Sequence, residues 1–117
     1  MVVDQVDQRR ADRLFHALAD ATRRDIVLRS LQAEYSVSGL ARLYPMSFAA
    51  IQKHVAVLEE AGLVTKQRRG REQLVSANMD AIRDVNVLLD HFEAVWRDRM
   101  DRFGEVLADT ESQGAEP

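Results

Sequence analysis

The chain has 117 residues and no cysteine. That excludes disulfides, thiolate metal sites and cysteine-based redox sensing. Proline occurs twice and glycine five times, so long stretches run without a helix breaker. No apolar run approaches the ~20 residues that cross a bilayer. The opening segment, MVVDQVDQRRADR, lacks the apolar centre of a secretory signal. The default expectation is a cytoplasmic protein with no membrane partner. Glycine-rich phosphate loops and a serine on a nucleophile elbow are also missing, so no enzyme and no cofactor are expected. Apolar residues make up 46% of the chain, which suits one domain with a modest core.

An overall excess of positive charge is missing too, since the net charge is −3. The distribution is informative where the total is not. Residues 1–77 hold 12 Lys/Arg against 9 Asp/Glu, and residues 78–117 hold 4 against 10. A basic front and an acidic back can dock on DNA in one orientation.

The periodicity predicts a mainly α fold with a small β component. Ala11, Leu14, Phe15 and Leu18 fall at helical spacing within a first helix from about Gln8 to Ala19. A second helix follows, capped by Asp20 or alternatively by Thr22 with Asp25. It buries Ile26, Val27 or Leu28, and Leu31, and ends near Ala33. Ser36 caps a short third helix holding Val37, Leu40, Ala41 and Leu43. Gly39 inside it costs about 1 kcal/mol relative to alanine. Pro45 disfavours helix at Tyr44, and Ser47 caps a fourth helix to about Ala61. Its buried stripe is Ile51, Val55 and Leu58, and Gly62 stops it. Two short strands, 63–67 and 73–76, flank a basic tip, Arg68 to Glu72, with Gly70 for a positive φ. Asn78 caps a long last helix whose stripe is Ile82, Val85, Leu89, Phe92, Trp96, Phe103 and Val106, interrupted by Arg99. Residues 1–7 are expected to be flexible, 8–108 to form one DNA-binding domain, and 109–117 to be a disordered tail.

Helix, turn, helix and basic hairpin together are the layout of a winged helix-turn-helix. Helical phase places Phe48, Ala49, Gln52, Lys53 and Ala56 on the outer face of the fourth helix, where base edges would be met. Gln52 suits adenine bidentately and Lys53 suits guanine or phosphate. Ser47 is first a cap whose hydroxyl can also meet a phosphate. His54 borders the buried stripe and reads equally as a packed histidine or a DNA contact. Arg68, Arg69 and Arg71 form the wing tip, suited to phosphates or a narrow minor groove, with Lys66 and Gln73 flanking. The aromatic residues of the last helix could line a ligand pocket. The favoured reading is a dimer seam of Leu89, Phe92, Trp96 and Phe103 with Leu14, Phe15 and Leu18.

The segments LARLYPMSFAAIQKHVAVLEEAGLV and LFHALADATRRDIVLRSL resemble the signature of the ArsR/SmtB family of winged-helix regulators, over roughly residues 11–105. The resemblance implies a homodimer that represses a double-stranded operator and is released by a ligand. The recognition helix would be about 47–61 and the wing about 66–73. Two departures stand out: Pro45 lies where the turn commonly has glycine, and Gly39 lies where glutamate would complete a capping box. The cysteine metal site of many members is impossible here. The alternative pattern D-x-H-x10-H-x2-E falls on Leu89, His91, Arg102 and Glu105, which keeps two of four ligands, so no metal is expected. The segment FEAVWRDRMDRF resembles a branch without a metal box, whose effector is unknown. Two other readings remain: a winged helix used only for protein–protein contact, and a metal sensor with a non-standard N/O site.

Overall fold

The computed structural model describes residues 5–114. In chain order the elements are α1 (Gln5–Leu18), α2 (Ala21–Gln32), β1 (Tyr35–Ser36), α3 (Val37–Ala41), α4 (Phe48–Glu60), β2 (Val64–Arg69), β3 (Glu72–Ala77) and α5 (Met79–Gly114). The chain divides into two units, one ending at Val85 and one beginning at Asn86. The first holds the helices and the sheet; the second is the remainder of α5.

The starts of α2, α3 and α4 are each set by a side chain that satisfies an amide of the first turn. The Arg23 amide donates to Asp20 at 3.0 Å, the Gly39 amide to Ser36 Oγ at 2.9 Å, and the Ala50 amide to Ser47 Oγ at 3.1 Å. Asp20, not Thr22, is therefore the cap of α2. Its carboxyl is held below the usual range, first by the Arg23 amide bond. A Cβ at Gly39 would lie 3.1 Å from Ser36 Oγ, so glycine there leaves room for the capping hydroxyl.

The end of α4 is a Schellman motif. The Leu63 amide donates to the Leu58 carbonyl at 2.9 Å and the Gly62 amide to Glu59 at 3.0 Å, with Gly62 at φ 80°, where a side chain is strained. Leu58 and Leu63, the apolar pair that closes this motif, are fully buried. Asn78 then locks the start of α5 to the same corner. Its side-chain amide donates to the Gly62 carbonyl at 2.9 Å, and its Oδ1 accepts from the Asp80 amide.

The sheet has three antiparallel strands in the order β1-β3-β2. β2 and β3 pair in register from Val64↔Ala77 to Arg69↔Glu72. β1 adds Tyr35↔Val75 and Ser36↔Leu74. The core joins Leu14 and Ala17 of α1, Ile26 and Val27 of α2, Ile51, Val55 and Leu58 of α4, Val75 of β3, and Ala81 and Val85 of α5.

Several expectations change. Helix α1 reaches back to Gln5, into the segment expected to be flexible, because neither glycine nor proline interrupts 5–18; residues 1–4 lie outside the described residues. Helix α5 likewise covers 109–114, where a disordered tail was expected, and the Thr110 hydroxyl donates to the Val106 carbonyl at 2.9 Å; residues 115–117 lie outside the description. In α2 it is Val27 that is buried, while Leu28 and Leu31 are exposed and Ser30 turns inward. Leu43 falls beyond α3, in a tight turn where its amide donates to Leu40 at 2.9 Å. Leu14 was expected in a dimer seam, but at 1% exposure its surface is already spent inside the protomer core.

Candidate nucleic-acid interface

With Ile51, Val55 and Leu58 turned inward, the helical repeat points Ala49, Lys53 and Ala56 outward and sets Gln52 at the border of the buried stripe. Phe48 falls on the stripe's side by phase but sits in the first turn, and all five are exposed. The first turn of α4 has no acidic side chain, so nothing on it opposes the positive end of the helix dipole. Ser47 is an exposed N-cap that hands its oxygen to the Ala50 amide.

Beside this face lies the hairpin. Its turn is two residues long, Gly70-Arg71, with Gly70 at φ 65°. Glycine at the first central position is the requirement of a type II′ turn, whose twist matches the strands. The tip is thus tighter than the five residues expected from the sequence, and Arg68 and Arg69 belong to β2.

That register separates the arginines, because alternate residues of a strand point to opposite faces. Lys66 and Arg68 share a face with Val64, Val75 and Gln73; Arg69 shares the other with Gln67 and Leu74. On that second face Glu34 takes hold of Arg69, with Nη1 3.4 Å from Oε1, and also accepts from the Ser76 hydroxyl at 3.1 Å. Lys66, half-buried at the wing's base, lies 3.5 Å from Glu59 at the end of α4. Among the described residues Arg68 reaches only the Gly70 carbonyl, at 3.4 Å. Arg71 has neither a salt bridge nor a side-chain hydrogen bond among the described residues.

Between helix and wing runs a cleft of about 210 Å³. It is lined by Val37, Ser38, Phe48, Gln52, Val55, Lys66, Arg71, Glu72 and Gln73. Five residues selected from the sequence meet there: Phe48, Gln52, Lys66, Arg71 and Gln73. Ala49, Lys53, Arg68 and Arg69 do not line it.

His54 is half-buried and its Nδ1 lies 3.3 Å from Arg23 Nη1. A guanidinium only donates, so Nδ1 accepts. Arg23 also donates from Nε to the Ala17 carbonyl at 2.8 Å and from Nη2 to the His16 carbonyl at 3.1 Å. Arg23 thereby ties the end of α1 to α4.

A second tether, not foreseen from the sequence, holds the turn between α3 and α4. The Tyr44 hydroxyl donates to Asp25 Oδ2 at 2.6 Å, Arg29 Nε donates to the same oxygen at 2.8 Å, and the guanidinium stands 5.7 Å from the Tyr44 ring centroid. Burial, then the bond to Asp25, pushes the Tyr44 phenol up to about 12. The Tyr44 and Arg29 bonds hold the Asp25 carboxyl below the usual range. The Asp25–Arg29 spacing of four is a sequence signal for a helix pair; nothing local announces Tyr44 as its third member.

The comparisons with known proteins agree with this geometry. The model of the bacterial regulatory protein arsR family matches residues 20–66. The HTH-type transcriptional regulator Rv2034 of Mycobacterium tuberculosis is 36% identical over 84 residues, covering 72% of this chain and 78% of the relative. Among solved structures, an ArsR-like transcriptional regulator from Rhodococcus sp. RHA1 superposes with a TM-score of 0.75 at 30% identity, over 85% of this chain and 93% of that one. A homodimeric winged helix-turn-helix DNA-binding domain from Mycobacterium bovis shares the fold, with a TM-score of 0.63 at 21% identity over 80% and 91% of the two chains.

Proposed function

The chain belongs to the ArsR family of winged helix-turn-helix DNA-binding transcriptional regulators, and on that premise we propose that it is a homodimeric repressor of a pseudo-palindromic operator. Each protomer lays α4 in a major groove and its wing along the adjacent backbone or minor groove. The observation that carries this reading is the single cleft in which Gln52 of the helix meets Lys66, Arg71 and Gln73 of the wing. Base-reading and phosphate-binding groups thus lie side by side, as a duplex requires.

Gln52 and Lys53 read bases, with Phe48 and Ala49 against the groove floor and the exposed cap Ser47 at a phosphate. Arg68 and Arg71 take the backbone. His54 acts on this face indirectly, through its bond to Arg23. The dimer seam comprises Phe15 and Leu18 of α1 and Leu89, Phe92, Trp96 and Phe103 of α5. Leu18 is partly buried, the others are exposed, and the M. bovis domain of the same fold is homodimeric. Release from DNA is a shift between two dimer geometries. The sequence favours no metal as the trigger, because His91 and Glu105 are the only residues of the ligand pattern retained. Operator binding places the protein in the cytoplasm with the chromosome.

Selection of bound duplexes from random oligonucleotides supplies the operator for the test. Gln52→Ala is expected to lose about 1–3 kcal/mol at one base position per half-site and little elsewhere. An equal loss on random DNA would remove Gln52 from base readout.

A further inference from the structure

From Asn86 onward the described side chains of α5 are nearly all exposed, including every large apolar one except the half-buried Leu88. Leu89, Phe92, Val95, Trp96, Met100, Phe103, Val106 and Leu107 together leave on the order of 800 Å² open, which is what one partner contributes to a standard interface and more than a monomer usually exposes in one patch. Along the helix, Leu89, Phe92, Trp96, Arg99, Phe103 and Val106 recur in alternating steps of three and four. That is a heptad seam. The opposite face carries Asp90, Arg97, Asp98 and Asp101. The anomaly is Arg99, a charge in a core position. Its neighbours Arg97 and Arg102 are paired with Glu93 and Asp98, whereas no salt bridge involves Arg99 among the described residues.

We infer that the distal half of α5 pairs antiparallel with the same segment of a second copy, in the register that lays each Arg99 on the face of the partner subunit's Trp96. The inference rests on the homodimer reading above and adds its register. In this pairing the two-fold axis passes between residues 97 and 98. Leu89 opposes the partner's Val106, Phe92 opposes the partner's Phe103, and Trp96 opposes the partner's Arg99. The stripe from 89 to 106 is thus its own complement, with no apolar layer left over. Tryptophan is the best aromatic acceptor for a guanidinium, and stacking keeps the charge without a carboxylate in the seam.

Other pairings fail on particular residues. A parallel pair sets Arg99 against the partner's Arg99, two like charges in an apolar layer. Moving the antiparallel register one heptad toward the N-terminus sets Arg99 against the partner's Leu89, which has no π face, and asks Val106 to meet the partner's Ile82, which already packs on the protomer core. Moving it one heptad the other way sets Leu89 against the partner's Gln113 and leaves Leu89 without an apolar partner.

The absence of cysteine makes the test clean. Full-length Leu89→Cys and Val106→Cys variants, each at the outer edge of the stripe, are mixed, allowed to exchange and oxidised, after sedimentation has established the mass. The expected result is a dimer by mass that cross-links in the mixture, while Leu89→Cys alone does not, because its two copies lie roughly 26 Å apart along the helix axis. A monomer would overturn the homodimer reading and this one with it. A dimer that cross-links through Leu89→Cys alone, or not in the mixture, would overturn only the register. Arg99→Gln is expected to weaken dimerisation roughly tenfold, from two cation–π layers per dimer, and to shift the emission of Trp96, the only tryptophan in the chain. Unchanged affinity and emission would remove the stacked layer.

Discussion

Tyr44 shows how much of the reading surface depends on side chains that do not touch it. Its hydroxyl holds Asp25 from the turn that precedes α4, so the start of α4 is fixed to α2. The raised phenol contributes stability that is complete below the ordinary tyrosine value near 10 and is lost as the pH rises through about 12. The lowered Asp25 carboxyl works in the other direction: its contribution is present above the ordinary carboxylate value and fades as the pH falls through the folded one. Ultraviolet titration should show a phenolate step near pH 12 that Tyr44→Phe removes; a step that persists in the variant would contradict the assignment to Tyr44. Leu14 illustrates the opposite lesson, since periodicity places it on the apolar side of α1 without saying which partner covers it. The protomer core does. Leu14→Ala is therefore expected to cost about 2–5 kcal/mol in urea unfolding, and an unchanged midpoint would put Leu14 outside the core.

At the scale of elements, the caps were legible because they are local. Ser36, Ser47 and Asn78 each precede an apolar stripe, Gly62 follows one, and each does what its position requires. The type II′ tip was legible only as a glycine in a basic loop. Its length, and hence the face each arginine takes, depends on the register with β3, which is a long-range property. For the same reason β1 was missed: two residues that pair with β3 carry no periodicity of their own. The register has a measurable consequence in the wing. Arg68→Ala and Arg71→Ala are each expected to lower the slope of log affinity against log salt by about 1. Arg69, drawn to Glu34 on the other face, is expected to change it less. A full unit lost at Arg69→Ala would show that the Glu34 pair opens on DNA.

For the molecule as a whole, the charge asymmetry between residues 1–77 and 78–117 gives the proposed dimer a direction. In that proposal the basic wings and α4 are the parts that meet the duplex. The order of the helices and the hairpin, the family and the absence of a thiolate site could all be read before any coordinates. The pairing of cleft residues, the two tethers on α4 and the division of the arginines could not, because each joins segments far apart in the chain. The proposed repressor depends on two copies of α4 entering DNA together. Footprinting of the protein on a selected duplex measures that directly. The expected footprint has two major-groove half-sites related by a dyad, with backbone or minor-groove protection beside each from the wings. A single unsymmetrical footprint, or protection of the backbone alone with no major-groove contact, would contradict it.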